Sequence, residues 1–290
     1  MRPEYPLHRS PAASVHLAVL LFGFSGLFGK LLTLSPVLIV FGRTAFAASS
    51  LFLFARVFTG DRLLPSSRRE GVFLILQGFL LAVHWLCFFH SIQVSTVAVG
   101  LISFSTFPMF TTLMEPLFFK ERLRIKDIFT SFLVLAGTCL VIPSFDLSND
   151  ITKGVTTGIP AGFTFALLTL LNRRNVVHTS ALTAAFYQNT FACLALVLPV
   201  FLIQSAVITA RDVLLLSILG VFCTGLAHTL FIRSLGYIRA QAASIVTGLE
   251  PVWGIVFAFF ILGEVPGIRT LAGGIVIITA SIMAQTGHHA

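Results

Sequence analysis

The sequence predicts an all-α integral membrane protein with ten transmembrane helices arranged as two inverted five-helix repeats. Three observations carry that expectation. The 290-residue chain is 56% hydrophobic and 10% charged, with a mean hydropathy of +0.96, too little polar surface for a soluble globule. Its apolar residues fall into about ten runs near the ~20-residue length that spans a bilayer as a helix. These runs are continuous rather than alternating, which excludes a transmembrane β-barrel. Finally, Ser91–Glu121 and Ser234–Glu264 superimpose in one register, which continues to Ile125 on Ile268. Ser91 falls on Ser234, Ile102 on Ile245, Pro108 on Pro251 and Glu121 on Glu264. A duplicated membrane segment points to a transporter before any other class.

The first run, 15–34, is too long for a signal-peptide core and lacks a small-residue cleavage site, so it reads as a retained span. Further spans are expected at 37–58, 71–91, 94–118, 127–143, 155–171, 181–204, 212–233, 237–262 and 268–286. They divide into repeats over 15–143 and 155–286, forming one structural unit. The polar connections 59–70, 120–127, 145–154 and 172–180 are too short to hold a soluble domain. The function therefore belongs among the helices.

The net charge of +8 is scattered between spans, which favours a topological reading over nucleic-acid binding. With the N-terminus cytoplasmic, most Lys and Arg fall on the inner side. Lys30, Lys153, Arg211 and Arg269 are left outside and Arg43 lies within the second span. Both termini are then cytoplasmic in a cell inner (plasma) membrane. Five spans per half is an odd number, so the second half enters the membrane inverted, which gives alternating access a structural basis. A weaker match sets Phe46 and Ala47 on Phe191 and Ala192, and Arg43 on Gln188 beside Asn189. The four cysteines, Cys87, Cys139, Cys193 and Cys223, lie inside apolar runs without shared spacing and read as packing residues.

Each repeat carries an apolar run, a proline, an acidic residue before a short turn, and a final helix, as in GLEPVWGIVFAFFILGEVPGIRTLAGGIVIITAS. This pattern, with Lys30 and Arg43, resembles the EamA domain of the drug/metabolite transporter superfamily, present twice. The resemblance implies a ten-helix secondary transporter, with export of amino acids or related metabolites as the expected activity. The first copy has Lys120-Glu121 where Gly-Glu is usual, which weakens the expectation of a tight turn there.

Among individual residues, Pro108 and Pro251 come first. A proline inside a helix leaves the carbonyl four residues back, of Phe104 or Thr247, without its donor and kinks the axis. Their matched positions suggest hinges; the alternative is a static kink. Glu250 falls near mid-membrane, where an ionisable group needs a cavity or a partner. It reads as a proton site, a contact for a substrate amine, or one half of an ion pair with Arg43. Arg43 can fork a carboxylate or bond backbone carbonyls of neighbouring helices. Lys30, nearer the outer surface, can snorkel.

His84, Trp85, Cys87 and His90 crowd the third span. Helical spacing spreads His84, Cys87 and His90 too widely for one metal ion. His84 and Trp85 suit a cavity wall, and His228 carries the same choice between cavity lining and packing. Glu115 is expected as an interfacial charge, and Glu121 and Glu264 as caps for the helices that follow them. Glycines 23, 26 and 29, with Gly273 and Gly274, permit close helix contact.

The expected substrate-binding residues are thus Arg43, His84, Trp85, His228 and Glu250, with no catalytic residue, metal or cofactor. The expected partners are a small molecule, the lipid bilayer and protons, and no nucleic acid. Without a Walker motif the chain does not itself use ATP. A passive channel or helper subunit is the second reading. A membrane-embedded enzyme on lipid-linked substrates is the third, disfavoured by short loops and the absence of hydrolase motifs.

Overall fold

Polar capping residues punctuate the apolar sequence and set where its helices begin. The computed structural model describes residues 11–119, 125–144, 146–203 and 207–285, and its regular structure is helical. The helices are α1 (Pro11–Gly26), α2 (Phe28–Leu31), α3 (Pro36–Phe54), α4 (Arg68–Val94), α5 (Val97–Phe104), α6 (Phe107–Phe119) and α7 (Ile125–Val141). They continue with α8 (Asp150–Asn175), α9 (Ala181–Leu202), α10 (Ala210–Gly220), α11 (Ala227–Ser234), α12 (Ala240–Thr247), α13 (Glu250–Leu262) and α14 (Ile268–Gln285). Ser35, Ser67, Thr96, Asn149, Ser180 and Thr209 each accept a backbone N–H of the first turn they precede. Thr209 and Asp212 complete a reciprocal capping box. Two π-helical stretches interrupt the pattern, Ala55–Thr59 after α3 and Val221–Leu226 between α10 and α11.

Among the described residues, seven helical stretches are long and apolar enough to cross a membrane, and three shorter apolar helices, Ile128–Val141, Glu250–Leu262 and Ile268–Ala280, accompany them. Large apolar side chains such as Leu117, Phe260 and Ile268 point outward, as a lipid-facing surface requires. Lys120 and Glu121 lie outside the described residues.

The runs expected as continuous spans at 94–118 and 237–262 are broken in the structure. α5 stops at Phe104 and α6 starts at Phe107; α12 stops at Thr247 and α13 starts at Glu250. The starts and ends of α12 and α13 repeat those of α5 and α6 with a constant displacement of 143 positions, and α14 starts the same distance after α7. Pro108 and Pro251 therefore stand in the first turn of a new helix and do not kink a continuous one. The missing N–H costs little there, because first-turn N–H groups have no intrahelical acceptor.

Side-chain bonds define the two ends of the bundle. At one end Lys30 donates to the carbonyls of Gln93 and Ser95. There too Glu264 accepts from the N–H groups of Val97 and Ala98, both at 3.0 Å, and Arg269 reaches the Pro143 carbonyl. At the other, Ser66 bonds the His178 carbonyl, Thr179 bonds Glu70, and Glu115 pairs with Arg173.

Two expectations change here. Glu264 caps α5, the start of the broken helix in the other half of the chain, and not the helix that follows it. Glu115 is buried and ion-paired to α8, where an interfacial charge was expected. Because Glu264 follows α13 yet meets the first turn of α5, the two broken helices run in opposite directions.

Across the bundle α4 packs most extensively on α8, α7 on α14 and α3 on α9, with α1 against α11 and α13. Gly23 makes the last contact possible: a Cβ there would lie 2.9 Å from the Glu250 carbonyl oxygen and 2.8 Å from the Trp253 Cβ.

Candidate functional site

Five buried polar side chains, Ser25, Arg43, His84, His228 and Glu250, converge on a cavity between α1, α3, α4, α5, α8, α11 and α13. Phe22, Ser25, Arg43, Leu81, His84, Trp85, Phe88, Phe104, Phe165, His228 and Glu250 line about 370 Å³ of space between atoms. The centre of a water-sized sphere can move through only about 20 Å³ of it. That is room for about one water, a volume smaller than any metabolite. All five residues expected to bind substrate, Arg43, His84, Trp85, His228 and Glu250, are brought to this wall.

Arg43 sits in mid-α3, 1% exposed. Its guanidinium carbon lies 4.0 Å from the centroid of the Trp85 ring and 5.1 Å from that of Phe89. Its Nε donates to the Thr224 hydroxyl at 2.9 Å, while Nη1 is buried with no hydrogen-bond partner. Thr224 is presented by the π-helical stretch, and its own hydroxyl donates to the Leu219 carbonyl five residues back. Stacking and the Nε bond fix the plane of the fork, leaving a donor edge suited to a carboxylate.

Glu250 occupies the first turn of α13, so the broken helix places a buried carboxylate at a helix N-terminus, where the helix dipole favours it. It is 3% exposed, and no ion pair within 4.0 Å joins it to Arg43. The two charges share a chamber without neutralising one another directly.

His84 directs Nδ1 at the Ala161 carbonyl, 2.9 Å away, and its ring lies 5.1 Å from that of Phe165. His228, with its ring 6.1 Å from Trp85, directs Nε2 at Gln188 Oε1 at 2.8 Å. Gln188 in turn bonds Gln77 and Asn172, each at 2.6 Å. His90 is exposed and Cys87 half-buried, so neither shares the wall with His84. Among the described residues no three His, Cys, Asp or Glu side chains cluster as metal ligands do. Lys30 stands apart, holding the end of α4.

Thr224, Gln77 and Asn172 did not emerge from the sequence, although a polar residue inside an apolar span is itself a signal of function. In the sequence Gln188 stands out only as the residue that aligns with Arg43.

The fold and site define a class, multi-pass helical membrane proteins with a buried polar chamber among their helices. The sequence matches the EamA-like transporter family over residues 10–142 and 152–286. The chain belongs to that family, within the drug/metabolite transporter superfamily. It is 25% identical over 272 residues to the transporter YxxF of Bacillus subtilis, covering 92% of this chain and 86% of that one. It is 26% identical over 249 residues to the S-adenosylmethionine uptake transporter of Rickettsia bellii, covering 84% and 81%. To the pseudopaline exporter CntI of Pseudomonas aeruginosa it is 25% identical over 254 residues, covering 86% of each chain. A solved crystal structure superimposes with a TM-score of 0.72 over 96% of this chain and 97% of the other at 14% identity, a likeness of fold. The protein is thus a multi-pass membrane transporter.

Proposed function

We propose that the protein is a secondary active transporter of a small zwitterionic metabolite, an amino acid or close relative, working by alternating access to the central chamber. The observation that carries this reading is the pair Arg43 and Glu250: opposite charges on one buried wall with no direct bond between them. A zwitterion offers a carboxylate to the Arg43 fork and an ammonium to Glu250, which offsets the cost of keeping both charges away from water. The aromatic remainder of the wall suits an apolar side chain. A chamber with room for one water must open to load, which favours a carrier over an open channel.

The ten-span inverted repeat is part of the proposal, with repeats over 15–143 and 155–286. It is supported by the constant displacement between the broken helices, their opposite directions, and the contacts of α3 with α9 and α7 with α14. Both termini are placed in the cytoplasm. Pro108 and Pro251 mark the breaks and serve as hinges between half-helices. Protons are the proposed coupling ion and Glu250 the titrating group. It shares the chamber with Arg43, His84 and His228, and the buried Cys223 thiol lies near Arg43. The resemblance implies export, while the relatives carry names of both uptake and export, so the assay reads both directions.

The test is uptake and efflux in proteoliposomes for a panel of amino acids, nucleosides, sugars and organic cations, with and without a pH gradient. Saturable, gradient-driven movement of amino acids is the expected result. Downhill flux without saturation would replace the carrier with a channel, and no flux of any compound would overturn the reading.

A further inference from the structure

The hydrogen bonds around the two cavity histidines decide which solute nitrogen fits. A neutral imidazole has one N–H and one lone-pair nitrogen. His84 Nδ1 faces the Ala161 carbonyl, which only accepts, so Nδ1 carries the hydrogen and Nε2 is left as an acceptor. For His228 the same choice is made at a distance. The Gln188 amide nitrogen gives its two hydrogens to Gln77 Oε1 and Asn172 Oδ1, so its oxygen is the end that meets His228 Nε2. Nε2 therefore donates, and Nδ1 is left as an acceptor. Gln188, Gln77 and Asn172 are each at most 1% exposed, so water does not compete for these bonds.

His84 Nε2, His228 Nδ1 and the Glu250 carboxylate have no hydrogen-bond partner among the described residues, and all three side chains line a chamber the size of one small polar group. Resting on the zwitterion reading above, we propose that these three acceptors select a primary ammonium group, and that Gln188 is a positioning residue holding His228 in the accepting tautomer. An ammonium carries three N–H donors, one for each acceptor. Each N-methylation removes a donor and adds bulk, and a trimethylammonium has none left. Aromatic walls attract quaternary ammonium groups in other settings. Here the Trp85 face is already covered by the Arg43 guanidinium at 4.0 Å, which repels a second cation unable to bond the acceptors.

The experiment is competition against labelled L-leucine uptake in proteoliposomes by L-leucine and its N-methyl, N,N-dimethyl and N,N,N-trimethyl derivatives. Apparent affinity is expected to fall about tenfold for each donor lost, the worth of a hydrogen bond to a charged group. In Gln188→Leu the ladder flattens by about one such step while leucine is still transported, because His228 is no longer held as an acceptor. An unchanged ladder in Gln188→Leu would overturn the positioning role. The wild-type ladder needs no variant to fold. Equal affinity across it, or preference for the trimethyl derivative, overturns the inference while leaving the carrier reading intact. Absence of saturable leucine uptake overturns the inference, and absence for every amino acid of the panel overturns the carrier reading as well.

Discussion

The Arg43 guanidinium stacks on the Trp85 ring at 4.0 Å while its Nε bonds Thr224, so three helical segments hold one buried cation in a fixed plane. A lysine ammonium has neither the plane to stack nor the fork to grip a carboxylate. Arg43→Lys is expected to keep the fold and raise KM for a zwitterion by about tenfold or more, the loss of a charge-assisted bond. Saturation curves in proteoliposomes check this, with Trp85→Leu expected to move KM in the same direction.

Glu250 is expected to carry the proton that couples transport to the pH gradient. Glu250→Gln keeps the size of the side chain and one accepting oxygen but removes the charge that meets the solute ammonium, so exchange between identical solutes should continue at a raised KM while the response to a pH gradient disappears. Uptake measured at several imposed gradients distinguishes the two. A variant that still concentrates solute in a pH-dependent way removes Glu250 from the coupling role.

Pro108 and Pro251 sit where two helices restart. Replacing either by alanine restores a backbone N–H and allows the break to close into a continuous helix. We expect Pro251→Ala to lower kcat and to raise KM as well, because closing the break stiffens the hinge and takes Glu250 out of the first turn of α13. Steady-state rates for both single variants and the double variant check this.

Glu264 stitches the two halves at one end by accepting two N–H groups of α5. Glu264→Ala leaves both donors without a side-chain partner, and loss of a helix cap costs about 1 kcal/mol. The thermal unfolding midpoint in detergent is expected to fall, with Glu264→Gln in between because it keeps one accepting oxygen.

Helices α7 and α14 pack tightly at glycines 137 and 273. A Cβ on Gly137 would lie 3.0 Å from the Gly273 carbonyl oxygen, whereas one on Gly267 would meet nothing within 4 Å. Gly137→Val is expected to destabilise by about 1–3 kcal/mol through overpacking, and Gly267→Ala to be silent. Detergent melting curves of the two variants decide it.

Much of the site was legible in the sequence. Arg43 and Glu250 stand out because an ionised group in an apolar run demands an explanation, and the matched prolines announced a discontinuity. The sequence could not distinguish a kink from a restart, because proline suits both the interior of a bent helix and the first turn of a new one. Glu115 looked interfacial from its position near a span end. Only the packing of α6 on α8 shows that it meets Arg173. Thr224, Gln77, Asn172 and the Ala161 carbonyl stayed hidden, since their importance lies in what they touch from other helices.

The sequence alone determined that this chain lives in a membrane and that it repeats itself. Both follow from short-range properties: the hydropathy of a run and the register of a pattern. Only the tertiary structure decided that Arg43 and Glu250 face one chamber unpaired, that Gln188 orients His228, and that Glu264 caps the opposite half. The physical reason is that helices with apolar faces on all sides can pack in many ways. Close fit at glycines and the few buried hydrogen bonds choose among those packings, and neither is written in local order.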